Sequence, residues 1–134
     1  FGAWKKVLDN IVIETLDAPQ AIGIYSQGIK SGNLVFTSGQ IPLNPETGEL
    51  INGDFKSEIS QVLTNLNAVL KSGGSSLKKA IKLTVFLTDL SYFPQVNEVF
   101  KEFFPENPPA RSAVQVSALP MNAKIEIEAV GSVE

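Results

Sequence analysis

The clearest periodicity in the chain comes from Phe55, Ile59, Val62, Leu63, Leu66, Val69 and Leu70, which recur at three- and four-residue intervals. That spacing lays them along one stripe of an α-helix and predicts a helix over 55–72. Asp54 stands where it can cap the first turn, and Gly73 where it can take the left-handed position after the last. A second helix is predicted over 91–104 from Phe93, Val96, Phe100, Phe103 and Phe104, with Pro94 tolerated in its first turn and Pro105 marking its exit. Elsewhere the period falls to two. Ile81, Leu83, Val85 and Leu87 alternate with Lys82, Thr84, Phe86 and Thr88, which predicts a strand over 81–88. Further strands are expected over 11–15, 24–30, 33–38, 111–117 and 124–132. Gly32 beside Asn33 supplies the positive φ of a hairpin turn, and 39–53, with Asn44-Pro45-Glu46-Thr47-Gly48 inside it, reads as a loop.

The order is strand, strand, strand, helix, strand, helix, strand, strand. The unit over 81–117 is a strand–helix–strand crossover, so its two strands should run parallel. The expected fold is a two-layer α+β domain: a mixed sheet with two helices on one face. No repeat or linker divides the 134 residues, which therefore read as a single domain. Phe36 points opposite to Val35, and Phe86 opposite to Val85, so both faces of the sheet carry apolar groups. Two helices cover only one face. The other is expected to meet further subunits.

Composition narrows the chemistry. The chain has no cysteine and no histidine, which excludes disulfides, thiolate nucleophiles, histidine bases, the Ser-His-Asp triad and the commonest metal ligands. Catalysis must rest on carboxylates, Arg, Lys, Tyr, hydroxyls, backbone groups and water. The net charge of −3, with no basic cluster beyond Lys5-Lys6 and Lys78-Lys79, argues against general nucleic-acid binding. No apolar run is long enough to span a bilayer, so a soluble protein without a membrane partner is expected. The sequence starts at Phe1, and 1–10 lack the apolar core of a secretory signal. A cytoplasmic location is expected, or an organellar one if the natural start carried a transit peptide. Trp4, Val7 and Leu8 suggest a short helical turn.

Three places could carry chemistry. Arg111 follows Asn107-Pro108-Pro109-Ala110 at the start of a strand, where a stiff lead-in suits either a bidentate carboxylate clamp or a surface salt bridge. Glu126 and Glu128 share one face of the last strand, where a carboxylate either orients water or is merely solvated or paired with Lys124. Tyr25 and Thr37-Ser38-Gly39-Gln40 come from the two strands of the hairpin. Gly39 permits close approach and Ser38 could hold an anion, or else the run is a plain loop entry with Tyr25 partly in the core.

Five ordered segments go further: Ala21-Ile22-Gly23-Ile24-Tyr25-Ser26-Gln27, Gly32-Asn33-Leu34-Val35-Phe36-Thr37-Ser38-Gly39-Gln40-Ile41-Pro42, Thr84-Val85-Phe86-Leu87-Thr88-Asp89, Pro109-Ala110-Arg111-Ser112 and Ile125-Glu126-Ile127-Glu128-Ala129. Together they closely resemble the reactive intermediate deaminase (RidA, YjgF-like) family from about Asp17 to Val130, with residues 1–16 matching less clearly. The resemblance implies a chorismate mutase-like fold, a homotrimer with a cleft at each subunit interface, and no metal or cofactor. It implies hydrolysis of 2-iminobutanoate and 2-iminopropanoate to 2-oxo acids and ammonia. In that family's terms Arg111 would bind the substrate carboxylate and Glu126 would position the attacking water. Tyr25, Ser38, Gly39 and Asn97 would line the pocket, and backbone groups of Ser112 and Ala113 would orient the imine. Three residues depart from the family pattern: Ala113 where many members carry cysteine, Ile24 where most carry proline, and Phe100 where tyrosine is common. Two rival readings are a non-enzymatic trimer that binds small carboxylates and regulates a partner, and a ribonuclease or translation inhibitor, which the acidic balance disfavours.

Overall fold

Strand Ile11–Ile13 (β1), Gly28–Ser31 (β2), Leu34–Thr37 (β3), Ala80–Leu87 (β4), Ala110–Gln115 (β5) and Ile125–Ser132 (β6) form one sheet in the order β1-β2-β3-β6-β4-β5. The computed structural model describes residues 10–133, so the turn expected around Trp4, Val7 and Leu8 lies outside the described residues. Every neighbouring pair is antiparallel except β4 and β5, which run parallel as their crossover requires. Helices α1 (Phe55–Ser72) and α2 (Phe93–Phe103) cover one face.

Helix α1 has the bounds its apolar stripe predicts, and the Asp54 carboxylate accepts the Ser57 amide at 2.8 Å. Its far end differs from expectation. Gly73 has φ −93°, and it is Gly74, at φ +90°, that turns left-handed. Gly73 is needed for space instead: a Cβ there would come within 2.6 Å of Ile13 Cδ1 and 2.9 Å of Val35 Cγ2. Helix α2 starts later than its apolar pattern suggests, because Asp89 caps a separate 3-10 turn over Leu90–Tyr92 by accepting the Ser91 amide.

The largest correction concerns β2, which begins at Gly28 and not near Ile24. The Gln27 side chain accepts the Thr15 amide at 2.7 Å and donates to the carbonyls of Thr15, Ala18 and Pro19. Those bonds bind 15–19 to 27 as a loop, which also ends β1 at Ile13. Ile22 and Ile24 are therefore exposed, and Tyr25 is 48% exposed, so the alternative of a tyrosine partly in the core is not met. The remaining strand boundaries lie within two residues of those predicted.

Val35, Leu83, Val85, Leu87, Ile125 and Ile127 face the buried stripes of α1 and α2 in one core. Each such side chain contributes about 1.5–3 kcal/mol before conformational entropy is deducted. On the opposite face, register aligns Val12, Ile29, Phe36 and Val130 in one row and Glu126, Phe86 and Val114 in another. Val12, Phe36 and Val114 are exposed there, so among the described residues an apolar sheet face stands uncovered, as the alternation predicts. The loop after β3 is held by Asn65, a fully buried polar residue inside the α1 stripe, which donates to the carbonyls of Leu43 at 2.9 Å and Ile41 at 3.4 Å.

Candidate active site

Arg111 opens β5, an edge strand, beside Leu83 of β4, and Leu83 faces the helices. Its guanidinium carbon lies 4.9 Å from the Phe93 ring centre and 5.0 Å from that of Phe100, both on α2. Partial burial lowers its pKa below the usual guanidinium range, which still leaves it charged near neutrality. The surface salt bridge is not formed: among the described residues the one ion pair is Lys56–Glu98. Arg111, Asn97, Phe100 and Lys101 line an open cavity of about 500 Å³ closed by Pro108 and Pro109.

Glu126 sits on the other face of the sheet. Its neighbours Ile125 and Ile127 are fully buried in the core, while Glu126 is half-buried and Glu128 is exposed to solvent, unpaired with Lys124. Burial, and secondarily the like charge of Glu128, raise the Glu126 pKa above its usual 4.5. A cavity of about 530 Å³ gathers Glu126 and Glu128 with Tyr25, Thr37, Ser38 and Gly39, rimmed by Ile22 and Pro120.

A bulge shapes this second cavity. Phe36 pairs with Val130 and Gln40 with Ile127, so four steps along one strand meet three along the other. The extra residue falls at Ser38–Gly39 and brings the Gly39 backbone against the Glu126 carboxyl. The run therefore does not break straight into a loop after Gly39, because Gln40 and Ile127 exchange two backbone hydrogen bonds at 2.9 and 3.0 Å. Ser38 is already engaged: its hydroxyl donates to the Ser26 carbonyl at 2.6 Å and its amide to the Gln27 carbonyl at 2.9 Å. Its donors hold the Tyr25 turn, so an anion would have to look to the neighbouring Gly39 amide. The Tyr25 hydroxyl accepts the Ile22 amide at 3.2 Å, which leaves its own proton free to donate outward.

Ser112 and Ala113 divide between the faces. The Ser112 hydroxyl accepts from Lys82 Nζ at 2.9 Å on the uncovered face, and Ala113 packs against the core. The unpaired side of β5 leaves backbone groups available there. One chain thus joins Tyr25, Ser38, Gly39 and Glu126 in one group and Arg111 with Asn97 in another. It does not join the two groups, because Glu126 aligns with Phe86 and Arg111 with Leu83, an odd number of residues apart on β4. Sequence reasoning did not single out Phe93 as a neighbour of Arg111 or Gln27 as the anchor of the Tyr25 loop. Phe93 reads only as one more member of a helix stripe, while a glutamine two residues after an exposed tyrosine carries no periodic signal.

Among the described residues no group of three or more acidic side chains converges on a possible metal position. Among the described residues no helix is long and apolar enough to cross a membrane.

A sequence model of the family described as Endoribonuclease L-PSP matches residues 15–133. A RutC family protein of Pyrococcus horikoshii is 52% identical over 119 residues, covering 89% of this chain and 94% of its own. A protein of Dermatophagoides farinae named 2-iminobutanoate/2-iminopropanoate deaminase is 42% identical over 123 residues, covering 92% and 96%. The crystal structure of Escherichia coli TdcF with bound serine superposes with a TM-score of 0.87 at 46% identity, covering 92% of this chain and 99% of that one.

Proposed function

The chain belongs to the endoribonuclease L-PSP family, the same family as the YjgF/RidA proteins, and on that premise we propose that it hydrolyses 2-imino acids such as 2-iminobutanoate and 2-iminopropanoate to 2-oxo acids and ammonia. The observation that carries this reading is an Arg111 guanidinium seated on two rings with no carboxylate partner among the described residues. A planar cation with free donors is a receptor for a substrate carboxylate. Relatives named as deaminases of these imines support the reaction class, and a relative crystallised with serine, itself an amino acid carboxylate, supports the ligand class.

The chemistry needs little beyond placement. An imine protonated on nitrogen is already electrophilic at carbon. Glu126 accepts a proton from a water molecule as the water oxygen bonds to that carbon, and the C=N π electrons move to nitrogen. The tetrahedral adduct then collapses: protonated Glu126 returns its proton to the nitrogen, the C–N bond breaks as ammonia leaves, and the hydroxyl proton passes to the Glu126 carboxylate to give the 2-oxo acid. Tyr25 O–H and the Gly39 amide are the donors beside that carboxylate. Burial, and then the Glu128 charge, raises the Glu126 pKa, which favours taking the proton.

Because Arg111 and Glu126 lie on opposite faces of one sheet, we take the complete site to form between subunits of a homotrimer. The exposed apolar residues Val12, Phe36 and Val114 on that face support the assembly. The test couples the purified protein to a threonine dehydratase and traps residual imine with semicarbazide. Wild type should suppress the trapped imine, and a folded Arg111→Ala variant should not. Equal suppression by both would remove Arg111 from the mechanism. No suppression by either, with carboxylates still bound, would leave a regulatory binding module.

A further inference from the structure

We infer that Phe93 and Phe100 are positioning residues for the carboxylate clamp, holding the Arg111 guanidinium against their rings so that its N–H donors stay free for the ligand. This rests on the reading of Arg111 given above. The two phenylalanines stand seven residues apart on α2, two helical turns, or about 10.5 Å of rise. The guanidinium carbon is nonetheless 4.9 and 5.0 Å from the two ring centres, so the rings lean toward each other and both reach Arg111. Phe100 is 8% exposed and packs on Phe104 with ring centres 5.4 Å apart, so its ring is fixed by the core. Arg111 in turn is fixed at the start of β5 by pairing with Leu83.

The acids of α2 are directed elsewhere. Glu98 is bound to Lys56 of α1, and Glu102 faces the same α1 surface beside Lys56 and Asp54. A carboxylate beside Arg111 would orient it equally well, yet would neutralise it and occupy the edge donors a substrate needs. Ring faces orient the cation without using those donors, since the attraction acts on the face of the aromatic system. This arrangement also explains how phenylalanine serves at position 100, where the family commonly has tyrosine: the ring face does the holding, and the hydroxyl adds nothing to it.

The test uses the full chain and two readouts, steady-state imine hydrolysis and calorimetric binding of 2-oxobutanoate. Phe93→Leu and Phe100→Leu keep apolar bulk but lose the ring face. Each should raise KM and weaken 2-oxobutanoate binding about tenfold, with kcat changed less than about twofold. Phe100→Tyr, which keeps the ring face, should bind 2-oxobutanoate more tightly than Phe100→Leu, and equal weakening in the two would overturn the inference. In an Arg111→Ala background the Phe93→Leu change should have no further effect on binding. Should Phe100→Leu fail to fold, the half-buried Phe93 position decides. Binding by Phe93→Leu equal to wild type, while Arg111→Ala loses it, would overturn this inference and leave the clamp intact. Undiminished binding by Arg111→Ala would overturn both.

Discussion

Gly39 and Glu126 are in contact through the absence of a side chain: a Cβ at position 39 would overlap the Glu126 carboxylate, lying 2.8 Å from its Cδ and 2.9 Å from its Cγ. The β-bulge between Thr37 and Gln40 creates this approach, and both flanks of the bulge are tied to β6. Gly39→Ala should therefore push Glu126 away from its position without disturbing the core. We expect kcat/KM for imine hydrolysis to fall about a hundredfold, with a thermal midpoint close to wild type. Retained activity in a folded Gly39→Ala protein would show that Glu126 placement is not required.

The neighbouring carboxylate sets the acid limb of the reaction. In the proposed mechanism Glu126 is ionised when it takes a proton from water, and burial followed by the Glu128 charge raises its pKa. The rate should thus fall, as pH decreases, at a higher pH than an ordinary glutamate would give. Glu128→Gln removes the like charge, lowers the Glu126 pKa and should move that limb to lower pH, leaving the plateau rate nearly unchanged. The pH profile of kcat/KM checks it, and an unmoved limb would mean that another group titrates.

Division of the site between two faces makes a mixing experiment decisive. Arg111→Ala and Glu126→Gln should each be inactive alone as folded trimers, verified by light scattering. Unfolded and refolded together in equal amounts, they would form some interfaces with an intact Arg111 from one chain and an intact Glu126 from another. Random assembly should restore about a quarter of the wild-type rate. No restoration in mixed trimers would place both residues in one chain's site.

Asn65 tests what holds the loop beside the cavity. Its amide supports the Leu43 and Ile41 carbonyls while its own Oδ1 accepts from Gln61 Nε2 at 2.8 Å. Asn65→Leu removes the donor from the Leu43 carbonyl, while the Ile41 carbonyl keeps the Leu43 amide at 2.7 Å, and should cost about 1–3 kcal/mol in a urea titration. An unchanged midpoint would mean that water replaces the amide without loss.

The local elements and their two faces were legible in the sequence because each depends on neighbours along the chain. The stripe from Phe55 to Leu70 and the alternation from Ile81 to Thr88 are short-range patterns, and backbone geometry converts them directly into a helix and a strand. The alternation of Val35 with Phe36 likewise identified the uncovered face. Tertiary structure decided the rest. Nothing local announces that Gln27 draws 15–19 into a loop, that an extra residue beside β6 brings Gly39 onto Glu126, or that Phe93 and Phe100 enclose Arg111. Nor could any pattern reveal that Arg111 and Glu126 lie on opposite sides of one sheet. That depends on the register of three strands brought together from separate parts of the chain, and register is set by core packing across the whole domain.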